Sequence, residues 1–339
     1  MTAVTKPGVQ QITVEPQESE SRLDRWFKRR FPEINHARLE KLLRTGQVRV
    51  DGGRAKANTR LATGQVVRVP PLGIKPEEEG VPSRKRALPI ISEHDVTEVQ
   101  RMVMYKDDDL IALNKPAGLA VQGGTGTHKH LDGLLDGLRF GSDERPRLVH
   151  RLDRDTSGVI IVARTAKSAA VLAKSFQMRD MKKIYWALVM GHPEHPIGTI
   201  SAALSKGGAV GHERMVWDDE DGKSAVTDYR VVGTAARRIT WLELWPRTGR
   251  THQLRAHCML IGTPILGDAK YAVVQHDPAQ RVDLHDGLLS EVADRMCLHA
   301  RELVIERPGK KPLSVTAPLP KHMKDAFKNL GFSEGEARE

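Results

Sequence analysis

His150-Arg151-Leu152-Asp153-Arg154-Asp155-Thr156-Ser157-Gly158 runs directly into Val159-Ile160-Ile161-Val162-Ala163. The second part is a continuous apolar run rich in β-branched residues, which predicts a buried strand. The first part is a dense polar cluster tethered to that strand. A charged loop fixed to a rigid strand is where a scaffold can hold catalytic groups in place. Asp153 and Asp155 would each suit a nucleophile, a base or an ion-pair partner for the nearby arginines. The residues alone do not choose between them.

Working outward, Thr165 can cap a helix from Ala166 to about Met178. Upstream, residues 110–113 read as a short strand ending in Asn114-Lys115-Pro116. Gly123, Gly124 and Gly126 make a flexible loop, and residues 131–138 have helical spacing. Downstream, residues 184–190, 224–232, 239–245 and 303–305 read as strands. Many strands with few scattered helices predict a mixed α+β domain with a largely antiparallel sheet, over residues 102–325.

A second polar cluster is Arg247-Thr248-Gly249-Arg250-Thr251-His252-Gln253-Leu254-Arg255-Ala256-His257. It runs from a loop into a helix that Thr251 can cap, with Leu254, Cys258 and Ile261 along one face. Helix N-termini favour anions, and the added Arg and His donors suit phosphate or carboxylate. His252 and Arg255 are three apart, the spacing of one helix face. The plainer alternative is a basic helix cap.

The N-terminal part has a different texture. Residues 21–70 hold 13 Lys/Arg against 4 Asp/Glu, a surplus of nine out of the net +10 of the whole 339-residue chain. Such concentration is the footprint of a polyanion-binding module. Leu23, Trp26 and Phe27 recur at helical spacing, and Pro32 breaks that helix. Asn35 can cap a second helix carrying Leu39, Leu42 and Leu43, with Arg38, Lys41 and Arg44 on other faces, and Gly46 ends it. Val48-Arg49-Val50, the turn Asp51-Gly52-Gly53 and Val66-Val67-Arg68-Val69 read as short strands. Residues 1–18 read as a loose N-terminus. Residues 71–101, with several prolines and mixed charge runs, read as a linker. Residues 326–339 are a tail without a clear reading.

Hydrophobic residues make up 39% of the chain, enough for a substantial core and against general disorder. Cys258 and Cys297 are too few for a disulfide framework, and with His257 and His299 they lack zinc-knuckle spacing. Met1 to Val9 contains Lys6 and Pro7 and no apolar secretory core. No apolar run is long enough to span a bilayer. The expected location is the cytoplasm.

Taken together, the clusters resemble the RluA/RluC/RluD family of pseudouridine synthases. His150-Arg151-Leu152-Asp153-x-x-Thr156-Ser157-Gly158 looks like its signature loop, and Asn114-Lys115-Pro116-Ala117-Gly118 like its first motif. Lys182-Lys183-Ile184-Tyr185 is similar to the strand carrying its active-site tyrosine. Thr248-Gly249-Arg250-Thr251-His252-Gln253-Leu254-Arg255-x-His257 is similar to its late motif, followed by Gly262-Thr263-Pro264-Ile265-Leu266-Gly267-Asp268. Residues 19–70 resemble an S4 RNA-binding domain through Arg22-Leu23-Asp24, the 38–46 helix and Val48-Arg49-Val50-Asp51-Gly52. The ribosomal members of the family carry such a domain ahead of the catalytic one. Among them the RluC type is the most similar, although Gln122 stands where a histidine is expected.

The resemblance implies that Asp153 is the catalytic aspartate and Asp155 occupies a variable position. It implies that Tyr185 stacks on the target base, that Arg255 pairs with the carboxylate, and that Arg151 holds the RNA with its base flipped out. His150, Arg250 and His252 become expected RNA contacts, as do Arg22, Arg38, Lys41 and Arg44 of the S4-like segment. Pseudouridine formation neither oxidises nor adds anything, so no cofactor and no metal are expected. The implied partner is large-subunit (23S-type) ribosomal RNA, free or in assembling particles, acted on by a monomer. A synthase for tRNA and a non-catalytic ribosome-assembly factor are the alternatives.

Overall fold

The computed structural model describes residues 8–72, 91–124, 127, 129–178, 181–208, 214–236, 238–271, 295–307 and 309–338. The chain divides into two compact units, Met1–Lys85 and Arg86–Glu339.

In the first unit, α1 (Leu23–Arg30) and α2 (His36–Arg44) lie with the short strands β1 (Gln10–Thr13), β2 (Arg49–Val50), β3 (Gly53–Arg54) and β4 (Val66–Val69). The sheet order is β1-β4-β2-β3. Asn35 caps α2 as expected, its side chain accepting the Arg38 amide. Gly46 follows with φ +69°, a left-handed turn that glycine adopts without strain. Leu23, Trp26, Phe27, Leu39 and Leu43 meet Val48, Val67 and Val69 in one core. Residues 10–18 depart from the expected loose N-terminus. β1 pairs with β4, and Glu18 is 7% exposed, bonded by Trp26 Nε1 at 3.0 Å and Arg30 Nε at 2.8 Å. The Arg30 bond holds the Glu18 carboxyl down at about 2. A polar composition hid this, because what Glu18 buries is one carboxylate against a matched pair of donors.

The second unit is built on one large sheet. Its strands are β5 (Val103–Lys106), β6 (Leu110–Lys115), β7 (Arg147–Leu148), β8 (Ser157–Ala163), β9 (Met181–Met190) and β10 (Ile197–Gly207). They continue with β11 (Arg214–Trp217), β12 (Lys223–Ala235), β13 (Ile239–Pro246), β14 (Leu298–Ile305) and β15 (Leu313–Thr316). The order is β11-β10-β12-β13-β9-β14-β8-β6-β5, with β15 beside β14 and β7 beside β8. Every pairing is antiparallel except that of β14 with β8. The fold is thus the mixed α+β, largely antiparallel one expected. Every residue of β8 is buried, as its unbroken apolar run requires.

The helices are α3 (Glu93–Arg101), α4 (Leu131–Leu134), α5 (Ala166–Met178), α6 (Gln253–Leu260) and α7 (Lys321–Leu330). Two boundaries move. The end of the expected linker is α3, capped by the Ser92 side chain and burying Val99; residues 73–90 of that linker lie outside the described residues. The expected start of a tail at residue 326 falls inside α7, whose Met323, Ala326 and Phe327 pack with Trp186 and Trp241. Among the described residues no helix is long and apolar enough to cross a membrane.

Candidate active site

Gly158 sets the local geometry. In β8 it stands between Lys115 on β6 and Ala300 on β14. Its φ is +108°, and a Cβ there would lie 2.2 Å from the Ala300 carbonyl oxygen. Glycine alone lets the parallel pair close at this point. One residue earlier, Ser157 Oγ lies 2.8 Å from His299 Nδ1. His299 Nε2 is 3.2 Å from the Ala317 carbonyl oxygen. A carbonyl only accepts, so Nε2 carries the proton and Ser157 donates to Nδ1. Burial pulls the His299 pKa down to about 4, consistent with a neutral ring.

The loop 150–156 leaves from this anchored strand start. Its other support is Lys115, fully buried, whose Nζ donates to the carbonyls of Pro116, Leu119 and Arg154, each at 2.9 Å. On the far side of β14, Ala300 pairs with Tyr185 of β9. Tyr185 therefore lies two strands from Gly158, about 10 Å at ordinary strand spacing. Burial, and after it the charge of Asp153, push the Tyr185 hydroxyl above its usual pKa, so it stays protonated.

Asp153 occupies the partition between two clefts. One is about 1150 Å³ and the other about 820 Å³, and Arg151, Asp153, Thr251, His252 and Arg255 line both. Tyr185 and Phe176 line only the smaller one. Asp153 keeps 26% of its side chain exposed, against 7% for Arg255.

Arg255 does reach Asp153, with Nη1 3.7 Å from Oδ2. Its main partner is a different residue. Nε and Nη2 form a two-pronged bond to Asp268 at 2.6 and 2.7 Å. Asp268 is 1% exposed and takes the stronger bonds because a buried carboxylate needs a matched cation. It also accepts the amides of Lys270 and Tyr271. The Arg255 guanidinium sits 5.0 Å over the Tyr271 ring. Burial works against its charge, and the Asp268 bonds with the charges of Asp268 and Asp153 outweigh that and raise its pKa. Held this way, Arg255 presents one free prong to Asp153.

The late motif folds differently from the simple reading. His252 has φ +50° and ψ +21° and is itself the residue before α6, which takes Thr251 out of the capping position. No side chain caps α6, and Gln253 instead ties down the loop ahead of it. Its Oε1 accepts the Thr248 hydroxyl at 2.7 Å and the Arg250 amide at 3.0 Å. Its Nε2 donates to Val226 O and Thr227 Oγ1, both at 2.9 Å. The loop 248–250 is thereby pinned to β12. His252 Nδ1 lies 3.1 Å from the Tyr271 hydroxyl, and burial lowers its pKa against the opposing charge of Asp153.

The other expected RNA contacts divide. Arg151 is exposed and has no hydrogen-bond or ionic partner among the described residues. Arg250 is exposed, with Nε on the Ser224 carbonyl at 3.1 Å. His150 turns inward. Its Nε2 accepts the Ile161 amide at 2.8 Å, and its ring stacks on Phe176 at 4.2 Å. Burial lowers its pKa to about 3, so it braces the loop as a neutral ring. In the first unit, Arg22 pairs with Asp24 at 2.6 Å and Arg38 donates to the Leu72 carbonyl. Lys41 and Arg44 are exposed without such partners among the described residues.

The four residues considered for zinc do not form a cluster. His257 Nδ1 is 2.9 Å from Thr227 Oγ1, His299 is engaged as described, and Cys258 and Cys297 are buried thiols in separate parts of the core. Among the described residues, the one group with metal-like spacing is His94, Asp95 and Glu98. There the Lys129 ammonium lies 2.7 Å from Asp95 and 2.6 Å from Glu98.

Sequence reasoning passed over Lys115, Asp268 and Tyr271 as site residues. The first two lie inside quoted motifs, where nothing singled them out from their neighbours. Tyr271 carried no signal.

A sequence model of the RNA pseudouridylate synthase family matches residues 109–260. Ribosomal large subunit pseudouridine synthase C of Vibrio cholerae is 33% identical over 330 residues, covering 95% of this chain and 97% of that protein. The protein of the same name in Escherichia coli is 32% identical, with 96% and 97% covered. Arabidopsis thaliana mitochondrial RNA pseudouridine synthase 4 is 33% identical, with 90% and 78% covered. Among solved structures, human RNA pseudouridylate synthase domain containing 4 aligns with a TM-score of 0.58 at 27% identity, covering 70% of this chain and 95% of that one. Identity at this level along almost the whole length of the bacterial proteins, together with the site described above, means that the chain belongs to the RNA pseudouridine synthase family and isomerises uridine to pseudouridine in RNA.

Proposed function

We propose that the substrate is large-subunit ribosomal RNA and that Asp153 is the nucleophile. The observation that carries the second part is the position of Asp153: a partly exposed carboxylate where two clefts meet, 3.7 Å from a guanidinium. The first part is supported by relatives named ribosomal large subunit pseudouridine synthase C, matched over nearly their full length.

The isomerisation breaks the N1–C1′ bond of uridine and makes a C5–C1′ bond. C5 gives up its proton, N1 gains one, and nothing is oxidised. A target inside folded RNA is flipped out first, at a cost of a few kcal/mol. In the smaller cleft Tyr185 offers a ring for the base to stack on, worth about 1–3 kcal/mol. Asp153 attacks the nucleotide, which frees the uracil to turn while it stays stacked. Arg255 favours the ionised carboxylate and fixes its direction. Arg151, exposed beside it, contacts the RNA whose base has left the stack. Lys41 and Arg44 of the first unit contact phosphates elsewhere on the RNA.

The test is release of tritium from RNA transcribed with uridine labelled at C5. Wild-type protein is expected to release label from large-subunit rRNA, and Asp153→Ala and Asp153→Asn to release none. Turnover by either variant overturns the nucleophile assignment. Release from a tRNA pool and not from rRNA overturns the substrate.

A further inference from the structure

Two clefts flank Asp153, and the reaction just proposed uses one. Tyr185 lines only the smaller, so the target base belongs there. The larger, about 1150 Å³, is lined by the same carboxylate and does not include Tyr185. A polynucleotide entering the smaller cleft has neighbours attached to both sides of the target, and that chain must leave somewhere. The rim of the larger cleft is cationic, with Arg151, Arg214, Lys270 and Arg295 among its lining residues, besides Arg154 paired with Asp155. Of its acidic residues, Asp268 is already neutralised by Arg255.

Arg214 stands out in this rim. It opens the edge strand β11, opposite Gly207 of β10, and it lines the larger cleft only. It is half-buried, and among the described residues it has neither an ionic nor a hydrogen-bonding partner. A half-buried guanidinium without a carboxylate is costly to keep unless an anion completes it. Its position is also tied to the reacting centre. The amide of the next residue, Met215, donates to the Tyr271 hydroxyl at 2.8 Å. Tyr271 in turn lies under the guanidinium of Arg255, 5.0 Å away, and Arg255 reaches Asp153.

We propose that the larger cleft receives the nucleotide adjoining the target uridine and that Arg214 holds its phosphate. The proposal rests on the placement of the target base against Tyr185. A phosphate contact of this kind carries no sequence information; it sets the register of the strand, so that one uridine and not its neighbour meets Asp153.

The experiment measures the binding of transcribed large-subunit rRNA to full-length protein across a range of KCl concentrations. Wild type, Arg214→Ala, Arg214→Lys and a distant control, Lys321→Ala, are compared. Removing one protein–phosphate interaction lowers the log–log salt slope by about 0.7–0.9. Arg214→Ala is expected to bind several-fold more weakly with a slope reduced by about that much. Arg214→Lys keeps most of the slope, and Lys321→Ala keeps all of it. Because the contact sets the register, single-turnover tritium release at saturating enzyme is expected to fall in Arg214→Ala together with the slope. An unchanged slope overturns the proposal, as does an equal drop in Lys321→Ala, which would mean a diffuse charge effect. Loss of the single-turnover rate with the slope intact also overturns it, because Arg214 would then act on the chemistry. If wild type releases no label from rRNA, it is the substrate reading that has failed, and the slopes are compared on the tRNA pool.

Discussion

At the residue scale the roles proposed above separate groups that would touch the substrate from groups that hold them. Tyr185 is the clearest case for a test, because its ring and its hydroxyl suggest different roles. Its hydroxyl stays protonated well above neutral pH, so it does not serve as an anionic base. If the ring is what matters, Tyr185→Phe keeps most of the activity. Tyr185→Ala should then lose the stacking, about 1–3 kcal/mol, or roughly five- to 160-fold in kcat/KM. Equal losses in the two variants, measured by steady-state tritium release, would assign the role to the hydroxyl. Asp153, Tyr185 and Arg255 were singled out in the sequence because each stands in a motif whose neighbours repeat a family pattern. Their partnerships were not. Arg255 bonds most strongly to Asp268, 13 residues on, an interaction set by how α6 and the following turn pack. The bond that His150 makes was hidden for a similar reason. A loop histidine beside an arginine reads as a ligand contact, and only the folded register shows the Ile161 amide filling Nε2.

At the element scale, the one parallel strand pairing among the described residues, between β8 and β14, carries the loop 150–156. His299 joins the two strands, and His257 is a residue of α6, both fully buried with pKa values held at about 4 by burial. A histidine whose folded pKa lies below its unfolded value of about 6.5 binds its proton more readily when unfolded. Stability is therefore full above about pH 6.5 and is lost as pH falls toward about 4, at roughly 1.4 kcal/mol per pH unit for each histidine. The urea midpoint is expected to drop between pH 7.5 and 5.0, and the drop to be smaller in His299→Gln, which can keep a donor and an acceptor. The same pH slope in the variant would remove His299 from this account. The strands around this pairing were readable because β6, β8, β9 and β13 hold long apolar runs. β10 was not. Its fully buried side chains, Ile200 and Leu204, are four apart among small and polar residues, a spacing that imitates a helix. β11, β5 and β15 are four-residue strands, too short for periodicity to register. α7 did carry a signal, Met323-Ala326-Phe327 between Pro320 and Gly331, and its buried face completes the aromatic cluster around Trp241.

At the scale of the whole molecule, charge and chemistry lie in different units. Residues 21–70 of the first unit hold a surplus of nine positive charges, against a net +10 for the chain, and the second unit holds the clefts and the carboxylate. On α2 the division is visible within one helix. Leu39 and Leu43 are buried, while Lys41 and Arg44 are exposed and unpaired among the described residues. Such side chains add nothing to the packing of the unit, so replacing them tests binding without unfolding it. Phosphate contacts raise affinity and encounter rate in a salt-dependent way and leave the chemical step alone. A Lys41→Ala/Arg44→Ala variant is therefore expected to bind rRNA more weakly, with a salt slope lower by about 1.4–1.8 for the two side chains. Its single-turnover rate at saturating enzyme should equal that of wild type. A reduced rate at saturation would mean that the first unit aligns the target as well as capturing the RNA. An unchanged slope would mean that its charge serves some other face, and then Arg25, Lys28 and Arg29 of the neighbouring helix would be the next residues to replace.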